Sequence, residues 1–241
     1  MKSPELMETD YPAGGDASPS RLALILAAER LFAENGIEGV SLRQINEAAG
    51  QRNASATHYH FGSRDGLVSA VFEYRMGFIN ARRLARMETL AREAKLGDLR
   101  ALTSVLVWPL AEELRPRPEG NFYLRFLERA HRRPVLVTSL TDESWLAGWR
   151  RATEALTRLL TYLPNTIVAL RLRMAAQHCI SGLADIEAWG SKAAGDLSLR
   201  VETVIDSIQA GLLAPVSFET LEALRVTEAG QRAERPRRRS S

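Results

Sequence analysis

The sequence has little cysteine and no long apolar run. Cys179 is the only cysteine among 241 residues, so the chain cannot form an internal disulfide framework or a zinc site built on a cysteine cluster. The longest apolar run, around residues 101–111, is too short to span a bilayer and is interrupted by Pro109. The first residues also lack the apolar core of a signal peptide. We therefore expect a cytoplasmic protein with no membrane partner.

An excess of charge of one sign is also missing. The formal net charge is +3, with 45% hydrophobic and 25% charged residues, a composition typical of a globular protein with a real core. A net charge this small does not indicate nucleic-acid binding by itself, so that function has to be argued from where basic residues lie. Between Arg43 and Arg64 the only acid is Glu47, which leaves a local basic patch that a phosphate backbone would meet.

Motifs of catalysis are missing as well. The sequence contains no nucleophile elbow, phosphate loop or zinc-helix motif. His58 and His60 are two residues apart on a predicted helix, so they point to different sides and cannot chelate one metal together. We therefore predict no enzyme activity, no cofactor and no metal site. An all-helical enzyme acting on a small molecule and a non-specific nucleoid-type DNA binder remain as alternatives, and specific binding to upstream DNA would argue against both.

What the chain does contain is the pattern of a helix-turn-helix. Apolar residues recur at three- and four-residue steps from Leu42 to Ala49, which places them on one helical face. Ser41 followed by Gln44 forms a capping box at the start of that helix. Gly50 can adopt the left-handed conformation that ends it. This pattern predicts a short, well-bounded helix followed by a tight turn.

A second short helix is predicted to begin at Asn53, a good N-cap residue, and to run to His60. Gly62 then interrupts the chain, and Ser63 caps a long helix predicted over residues 64–95. In a helix-turn-helix the second helix enters the major groove of DNA, where polar side chains contact phosphates and base edges. The open alternative is a solvated polar helix in a bundle. The residues that we expect at the DNA surface are Arg43, Gln44, Arg52, Asn53, Ser55, Thr57, His58, Tyr59 and Arg64.

Three motifs occur in order between Leu31 and Leu67: LFAENG, SLRQINEAAG and YHFGSRDGL. Together they resemble the DNA-binding domain of the TetR/AcrR family of bacterial transcriptional regulators. The turn after the glycine is one residue longer than is common in that family. Arg52 and Thr57 stand where the family usually has an aliphatic residue and a leucine. The resemblance implies a ligand-responsive regulator, a repressor in the first instance, that binds a palindromic double-stranded DNA operator as a homodimer.

Helical periodicity and the positions of breakers predict an all-α chain. We expect a three-helix, helix-turn-helix N-terminal domain joined by the long helix to a helical ligand-binding and dimerisation domain. Further helices are predicted at residues 98–115, 119–132, 142–163, 166–189, 197–213 and 218–225. The predicted divisions are a disordered arm at residues 1–19, the DNA-binding domain at 20–66, the ligand-binding and dimerisation domain at 67–226, and a disordered basic tail at 227–241.

Two of these helices, at residues 166–189 and 197–213, carry apolar stripes at near-heptad spacing. Two antiparallel helices from each subunit would form a four-helix bundle, and the family resemblance favours a dimer interface there. The alternative is that both stripes belong to the subunit's own core. The expected interface residues are Ala175, Cys179, Leu183, Ile186, Val201, Ile205, Ile208 and Leu212.

Large aromatic residues are concentrated in the middle helices. The resemblance implies that these helices enclose a pocket for an unknown small-molecule effector, which we expect to be largely apolar. For each candidate residue a structural role in the core is the alternative. The candidate pocket residues are Trp108, Tyr123, Phe126, Trp145, Trp149 and His178.

Overall fold

The computed structural model describes residues 18–53, 55–117, 120–133, 143–190 and 196–234, without the side chains of residues 143–145 and 230–234. Within these ranges the regular secondary structure is helical and no strand occurs, which confirms the expected all-α fold. The α-helices are α1 (Pro19–Asn35), α2 (Leu42–Ala48), α3 (Ala56–Phe61), α4 (Arg64–Arg92), α5 (Leu99–Ala111), α6 (Tyr123–Ala130), α7 (Glu143–Leu159), α8 (Asn165–Trp189), α9 (Leu197–Leu213) and α10 (Phe218–Glu234), and a 3-10 helix (Glu112–Leu114) follows α5.

Local capping determines where the first two helices begin and end. The Ser18 hydroxyl accepts a hydrogen bond from the Arg21 amide at the start of α1. Gly36, with a φ of 79°, ends that helix, because this conformation is unfavourable for residues with a Cβ. The predicted capping box is present at α2: the Gln44 amide donates to the Ser41 hydroxyl, and the Ser41 amide donates to Gln44 Oε1 at 2.8 Å.

The third helix begins later than predicted. Ser55, rather than Asn53, is its N-cap residue. Asn53 Oδ1 accepts hydrogen bonds from the Ser55 amide at 3.0 Å and the Ser55 hydroxyl at 2.8 Å. Such local side-chain bonds to the backbone compete with helix formation, so Asn53 belongs to the turn. The next helix, α4, ends at Arg92, short of the predicted residue 95.

The long helix α4 and the short helix α6 join the DNA-binding part to the rest of the chain. The beginning of α4 packs on α1 and α3, and its remainder packs on α5 and α7. α6 lies between α1 and α8. The rings of Phe32 on α1 and Phe126 on α6 stack with centroids 6.3 Å apart. The first three helices are therefore held to the body at two places.

A glycine allows α7 to approach α4 closely. The Gly148 amide donates to Asn80 Oδ1 at 2.7 Å. A Cβ at position 148 would lie 2.9 Å from that oxygen and 3.0 Å from Arg83 Cβ, which is closer than side chains tolerate. The close contact between α4 and α7 therefore requires glycine at position 148, because any Cβ there would clash.

Helices α8 and α9 form an antiparallel pair. Arg171, near the start of α8, donates to the carbonyl of Leu212 at the end of α9, and Arg200 of α9 donates to the carbonyl of Gly190. α9 also packs on α5. None of the described helices is long and apolar enough to cross a membrane.

The last helix is longer than the sequence suggested. α10 continues to Glu234, past residue 225 where it was predicted to end and past residue 227 where the basic tail was predicted to begin. The rest of that predicted tail, residues 235–241, and residues 1–17 of the predicted arm lie outside the described residues.

Candidate nucleic-acid interface and internal cavity

The crossing of α2 and α3 is fixed by one buried side chain. Asn46 Oδ1 accepts hydrogen bonds from the Thr57 amide at 3.1 Å and from the Thr57 hydroxyl at 2.6 Å. The Asn46 carbonyl accepts a further bond from the Gln51 amide at 2.9 Å. Buried polar groups that are fully bonded in this way hold a unique geometry. The two helices therefore present their outer surfaces at a defined angle.

This arrangement overturns the predicted DNA contact of Thr57. Only 1% of Thr57 is exposed, because its side chain points inward to Asn46. The sequence did contain a signal: the family usually has leucine here, a residue type typical of a core. Thr57 is a core residue, and its hydroxyl donates to the buried Asn46 Oδ1.

The other predicted contact residues lie at or near the surface of the same unit. Tyr59 is the most prominent of them, with 84% of its surface exposed. Its ring meets the His60 ring edge-on, with centroids 5.1 Å apart. That these exposed residues contact DNA stays a prediction. The exposed members of the group are Arg43, Gln44, Arg52, Asn53, Ser55, His58 and Tyr59, and Arg64 is partly exposed.

Two of the basic residues in this group are ion-paired within the chain. Arg43 Nε lies 2.8 Å from Glu47 Oε1, and this hydrogen bond raises the pKa of Arg43. Arg64 Nη1 lies 2.9 Å from Glu38 Oε2. Exposed pairs of this kind contribute little to stability, because solvent screens both charges. Phosphate groups can therefore compete with the carboxylates for both arginines.

Arg133 connects this unit to the end of α6. Its guanidinium donates to Glu38 Oε1 at 2.5 Å and to Asp65 Oδ1 at 2.9 Å, and the bond to Glu38 lowers the pKa of that carboxyl. Glu38 lies between α1 and α2, and Asp65 lies in the first turn of α4. No local sequence pattern indicates these pairs, because the partners are 95 and 68 residues apart in the chain.

A cavity of about 710 Å³ lies among α4, α6, α7 and α8, with a contribution from α5. Its size falls in the range of small-molecule sites, roughly 300–1,000 Å³. Its walls are mostly apolar, with arginines and other polar groups among them. The described lining residues are Phe72, Met76, Arg83, Leu110, Leu127, His131, Arg132, Leu146, Trp149, Arg173, Ala176, Gln177 and Ile180.

Of the residues predicted to form the pocket, Trp149 lines this cavity. Tyr123 and Phe126 are buried in the core instead, where Phe126 stacks on Phe32 of α1. Trp108 points toward α9, where its Nε1 donates to Glu202 Oε1 at 3.1 Å. The fifth candidate, His178, is exposed on the outer side of α8. Helical spacing placed these side chains on helices correctly but could not tell which face meets the cavity.

The remaining candidate, Trp145, lies in α7, and its side chain is outside the described residues. The sequence reasoning also missed the arginines of the wall, since a basic residue on a long helix is usually solvated.

Arg83 places a positive charge in the cavity wall. Only 1% of its surface is exposed, and burial lowers its pKa to about 10. Its Nε donates to the Val105 carbonyl at 3.4 Å and its Nη2 to the Leu106 carbonyl at 3.2 Å. The guanidinium carbon lies 5.4 Å from the centroid of the Trp149 ring. Pro109 explains one of these bonds, because it has no N–H to donate to Val105 four residues earlier.

The stripes predicted to form the dimer interface face the subunit's own core. Leu183 and Ile205 are both fully buried within the single chain. The core alternative is therefore the correct one, and the interface prediction is wrong for these side chains. The full set buried in this way is Ala175, Cys179, Leu183, Ile186, Val201, Ile205, Ile208 and Leu212.

The opposite faces of the same two helices are also partly apolar. Met174 is 69% exposed and Leu199 is 63% exposed. The sequence could not decide between the faces, because each helix has apolar residues on both. The large exposed apolar residues on this outer surface are Leu170, Met174, Trp189, Leu199 and Leu213.

The structure thus defines a helix-turn-helix protein with an all-helical body that contains a cavity. Residues 24–71 match the family model described as bacterial regulatory proteins, tetR family. The chain is 37% identical over 59 residues to the HTH-type transcriptional repressor AcnR of Corynebacterium glutamicum, a match that covers 24% of this chain and 31% of AcnR. The chain therefore aligns with about a third of the length of that curated relative.

Two solved structures extend the likeness to the body of the protein. A TetR-family transcription regulator from Shewanella sp. PV-4 is 15% identical, with a TM-score of 0.53 over 80% of this chain and 97% of that one. NalD of Pseudomonas aeruginosa, the secondary repressor of the MexAB-OprM multidrug efflux pump, is 18% identical, with a TM-score of 0.50 over 82% and 98% of the two chains. At these identities the likeness concerns the fold. Residues 24–71 are thus similar to the DNA-binding domain of the tetR family of bacterial regulatory proteins.

Proposed function

We propose that this protein is a transcriptional repressor that binds a palindromic DNA operator as a homodimer and releases it when a small molecule enters the cavity. The observation that carries the proposal is the polar and basic outer surface of α2 and α3, held at one angle by Asn46 and Thr57. The match of residues 24–71 to the tetR family model supports it. A protein with this task would act in the cytoplasm, where the chromosome lies.

In this proposal α3 lies in the major groove. His58 and Tyr59 are exposed on it, and Ser55 is exposed at its N-cap, so these side chains are the candidates for contacts to base edges. Arg43 and Arg64 lie on the flanking helices and would contact phosphates. The exposed Arg52 lies in the turn before α3 and would do the same.

The test is a gel shift with the DNA upstream of the protein's own gene. Simultaneous replacement of Arg43, Arg52 and Arg64 by alanine should weaken binding to every DNA sequence. The affinity should also depend less steeply on salt, because binding through fewer phosphate contacts releases fewer counterions. A matched control replaces Arg151, Arg158 and Arg225, which are exposed outside the first three helices. The control makes the same change in net charge. Equal affinity of the two triple variants would contradict the proposed surface.

For the dimer we propose the outer surface of α8 and α9 in place of the buried stripes. Met174 and Leu199 are exposed there in the single chain, and a contiguous apolar surface is typical of a protein interface. Pairing the two helices with their copies across a two-fold axis would give a four-helix bundle. Such a dimer has the symmetry that a palindromic operator requires.

Release would follow from the position of the cavity. Helix α4 lines it and also begins at the DNA-binding unit. At the end of α6, His131 and Arg132 line the cavity while the next residue, Arg133, is bonded to Glu38 and Asp65 of that unit. A ligand that shifts either helix would change the separation of the two recognition helices, which must be roughly 34–36 Å to fit successive grooves.

The thermodynamic test of release has two arms. A ligand that weakens operator binding must itself bind more weakly in the presence of operator, and by the same factor. A coupling of about 1–3 kcal/mol corresponds to about 5- to 150-fold. Ligand affinity should be measured with and without operator, and operator affinity with and without ligand. Equal ligand affinities in the two conditions would rule out this mechanism.

A further inference from the structure

The arginines of α4 differ in how their charges are balanced. Arg75 donates to Glu29 at 2.7 Å, and Arg86 donates to Glu112 at 2.7 Å. Arg82 is ion-paired with Glu113. Arg83 is next to it in sequence and more deeply buried, yet within the described part of the chain no carboxylate pairs with it.

The bonds that Arg83 does make are weak for a buried cation. Its two carbonyl acceptors lie at 3.4 and 3.2 Å, whereas a charge-assisted bond to a carboxylate is typically about 2.7–2.9 Å. The bond to Val105 has a structural explanation in Pro109, but that role needs a donor and not a charge. A buried charge without a counter-ion is energetically unfavourable. An anion bound beside Arg83 would therefore stabilise this guanidinium.

The surroundings of Arg83 favour an anion of a particular kind. Among the described lining residues of the cavity, Arg132 and Arg173 are also basic, and none is acidic. The other walls are largely apolar, for example Met76, Leu127 and Ile180. The cavity therefore combines a positive potential with apolar surface, which fits a molecule that has a charged head and an apolar body.

We infer that the ligand of this cavity is an amphipathic organic anion, a carboxylate with an apolar body, whose charged group pairs with the guanidinium of Arg83. The inference rests on the proposed function only in identifying this cavity as the effector site. The apolar body would contact the walls formed by α6, α7 and α8, and Arg132 and Arg173 would attract the anion toward the opening. The expected effector is thus less apolar than the sequence suggested.

The probes for the test are decanoate and the uncharged decanol, which share one alkyl chain. Titration calorimetry on the full-length protein should give one decanoate site per chain, with binding at least about tenfold tighter than that of decanol, about 1.4 kcal/mol. Equal affinity for the two probes would overturn the inference, and this comparison needs no variant.

The variants then assign the charge to a residue. Arg83→Met should remove the preference for decanoate while leaving decanol binding unchanged. Arg86→Met is the matched control, one turn further along α4 and paired with Glu112 outside the cavity lining, and it should keep the preference. If Arg83→Met keeps the preference while Arg132→Met or Arg173→Met loses it, the anion is held at other arginines and the assignment to Arg83 is wrong.

Operator binding is measured in parallel by gel shift with the same preparations. Wild-type protein that binds its operator but shows no preference for decanoate would contradict the anion inference and leave the proposed function standing. Protein that prefers decanoate but binds no operator would contradict the proposed function and leave the cavity chemistry standing. The two failures are therefore distinguishable.

Discussion

Arg75 of α4 and Glu29 of α1 form a bidentate ion pair inside the protein. Arg75 Nε donates to Glu29 Oε2 at 2.7 Å, Nη2 donates to Oε1 at 2.9 Å, and both side chains are buried. Glu113, beside the end of α5, lies 3.8 Å from the same guanidinium. A pair of this kind has one favourable arrangement, so it fixes how the first helix sits against the helix that leads to the cavity.

Breaking this pair should destabilise the protein. Glu29→Gln leaves the Arg75 guanidinium buried without its main partner, and such losses cost about 3–5 kcal/mol. The proximity of Glu113 predicts a value toward the lower end. Urea denaturation should show this loss, whereas Glu47→Gln, which removes the exposed partner of Arg43, should leave the stability almost unchanged. Similar losses in the two variants would mean that the buried pair does not fix the helices.

The role of Thr57 can be separated from that of its exposed neighbours. Thr57→Val removes the hydroxyl that bonds Asn46, so we expect a loss of stability of about 0.5–1.5 kcal/mol with unchanged preference among operator sequences. Ser55→Ala, at an exposed position, should do the reverse if the hydroxyl contacts a base. Thermal denaturation and binding to a panel of operator variants measure the two effects. A changed preference in Thr57→Val at unchanged stability would restore Thr57 as a contact residue.

The sequence predicted those features that depend on neighbouring residues. The capping box at Ser41 and Gln44 and the left-handed Gly50 are local, and both are present. The prediction from sequence was wrong where packing decides which face of a helix is buried. Thr57 is polar but buried, and Leu183 belongs to an apolar stripe that could equally have contacted a second subunit. Periodicity identifies an amphipathic helix but not what covers each of its faces.

The cavity illustrates the same limit. Trp149 was predicted from its position in an aromatic-rich region and does line the cavity. Arg83 was not predicted, because its place in the wall results from the contact of α4 with α5 and α7. Those contacts join residues far apart in the chain, so no local pattern reports them.

The dimer proposal predicts opposite outcomes for two charge insertions on α8. Met174 is exposed in the single chain, so Met174→Arg should leave the subunit folded and give monomers. Leu183 is in the core, so Leu183→Arg should unfold the subunit. Light scattering combined with circular dichroism distinguishes a folded monomer from an unfolded chain. A Met174→Arg variant that remains dimeric would place the interface elsewhere.

Arg133 should control the rigidity of the DNA-binding unit. Arg133→Gln removes the ion pairs to Glu38 and Asp65, so amide hydrogen exchange should become faster in the loop before α2 and the first turn of α4. Exchange in α8 should be unchanged. Arg151→Gln, at an exposed position on α7, serves as the control and should alter neither region. Unchanged exchange in Arg133→Gln would show that the DNA-binding unit does not depend on this arginine.

Cys179 should be unreactive in the folded protein. Burial raises the pKa of its thiol to about 12 from an ordinary value of 9.0. At about pH 8, below both values, the folded thiol is protonated and inaccessible, whereas the unfolded thiol is partly ionised and reactive. A disulfide reagent should therefore label the native protein slowly and the denatured protein rapidly. Rapid native labelling that accelerates as pH approaches 9 would contradict the burial of Cys179.

Two contacts between the first three helices and the region of α6 bear on how this protein could be engineered. Phe32 stacks on Phe126 of α6, and Glu38 is bonded to Arg133 just beyond that helix. A chimera that joined residues 18–63 to the body of another regulator would keep the recognition surface but lose both contacts. Under the proposed function, operator specificity would be transferred without the response to ligand, unless the segment from Phe126 to Arg133 were transplanted with it.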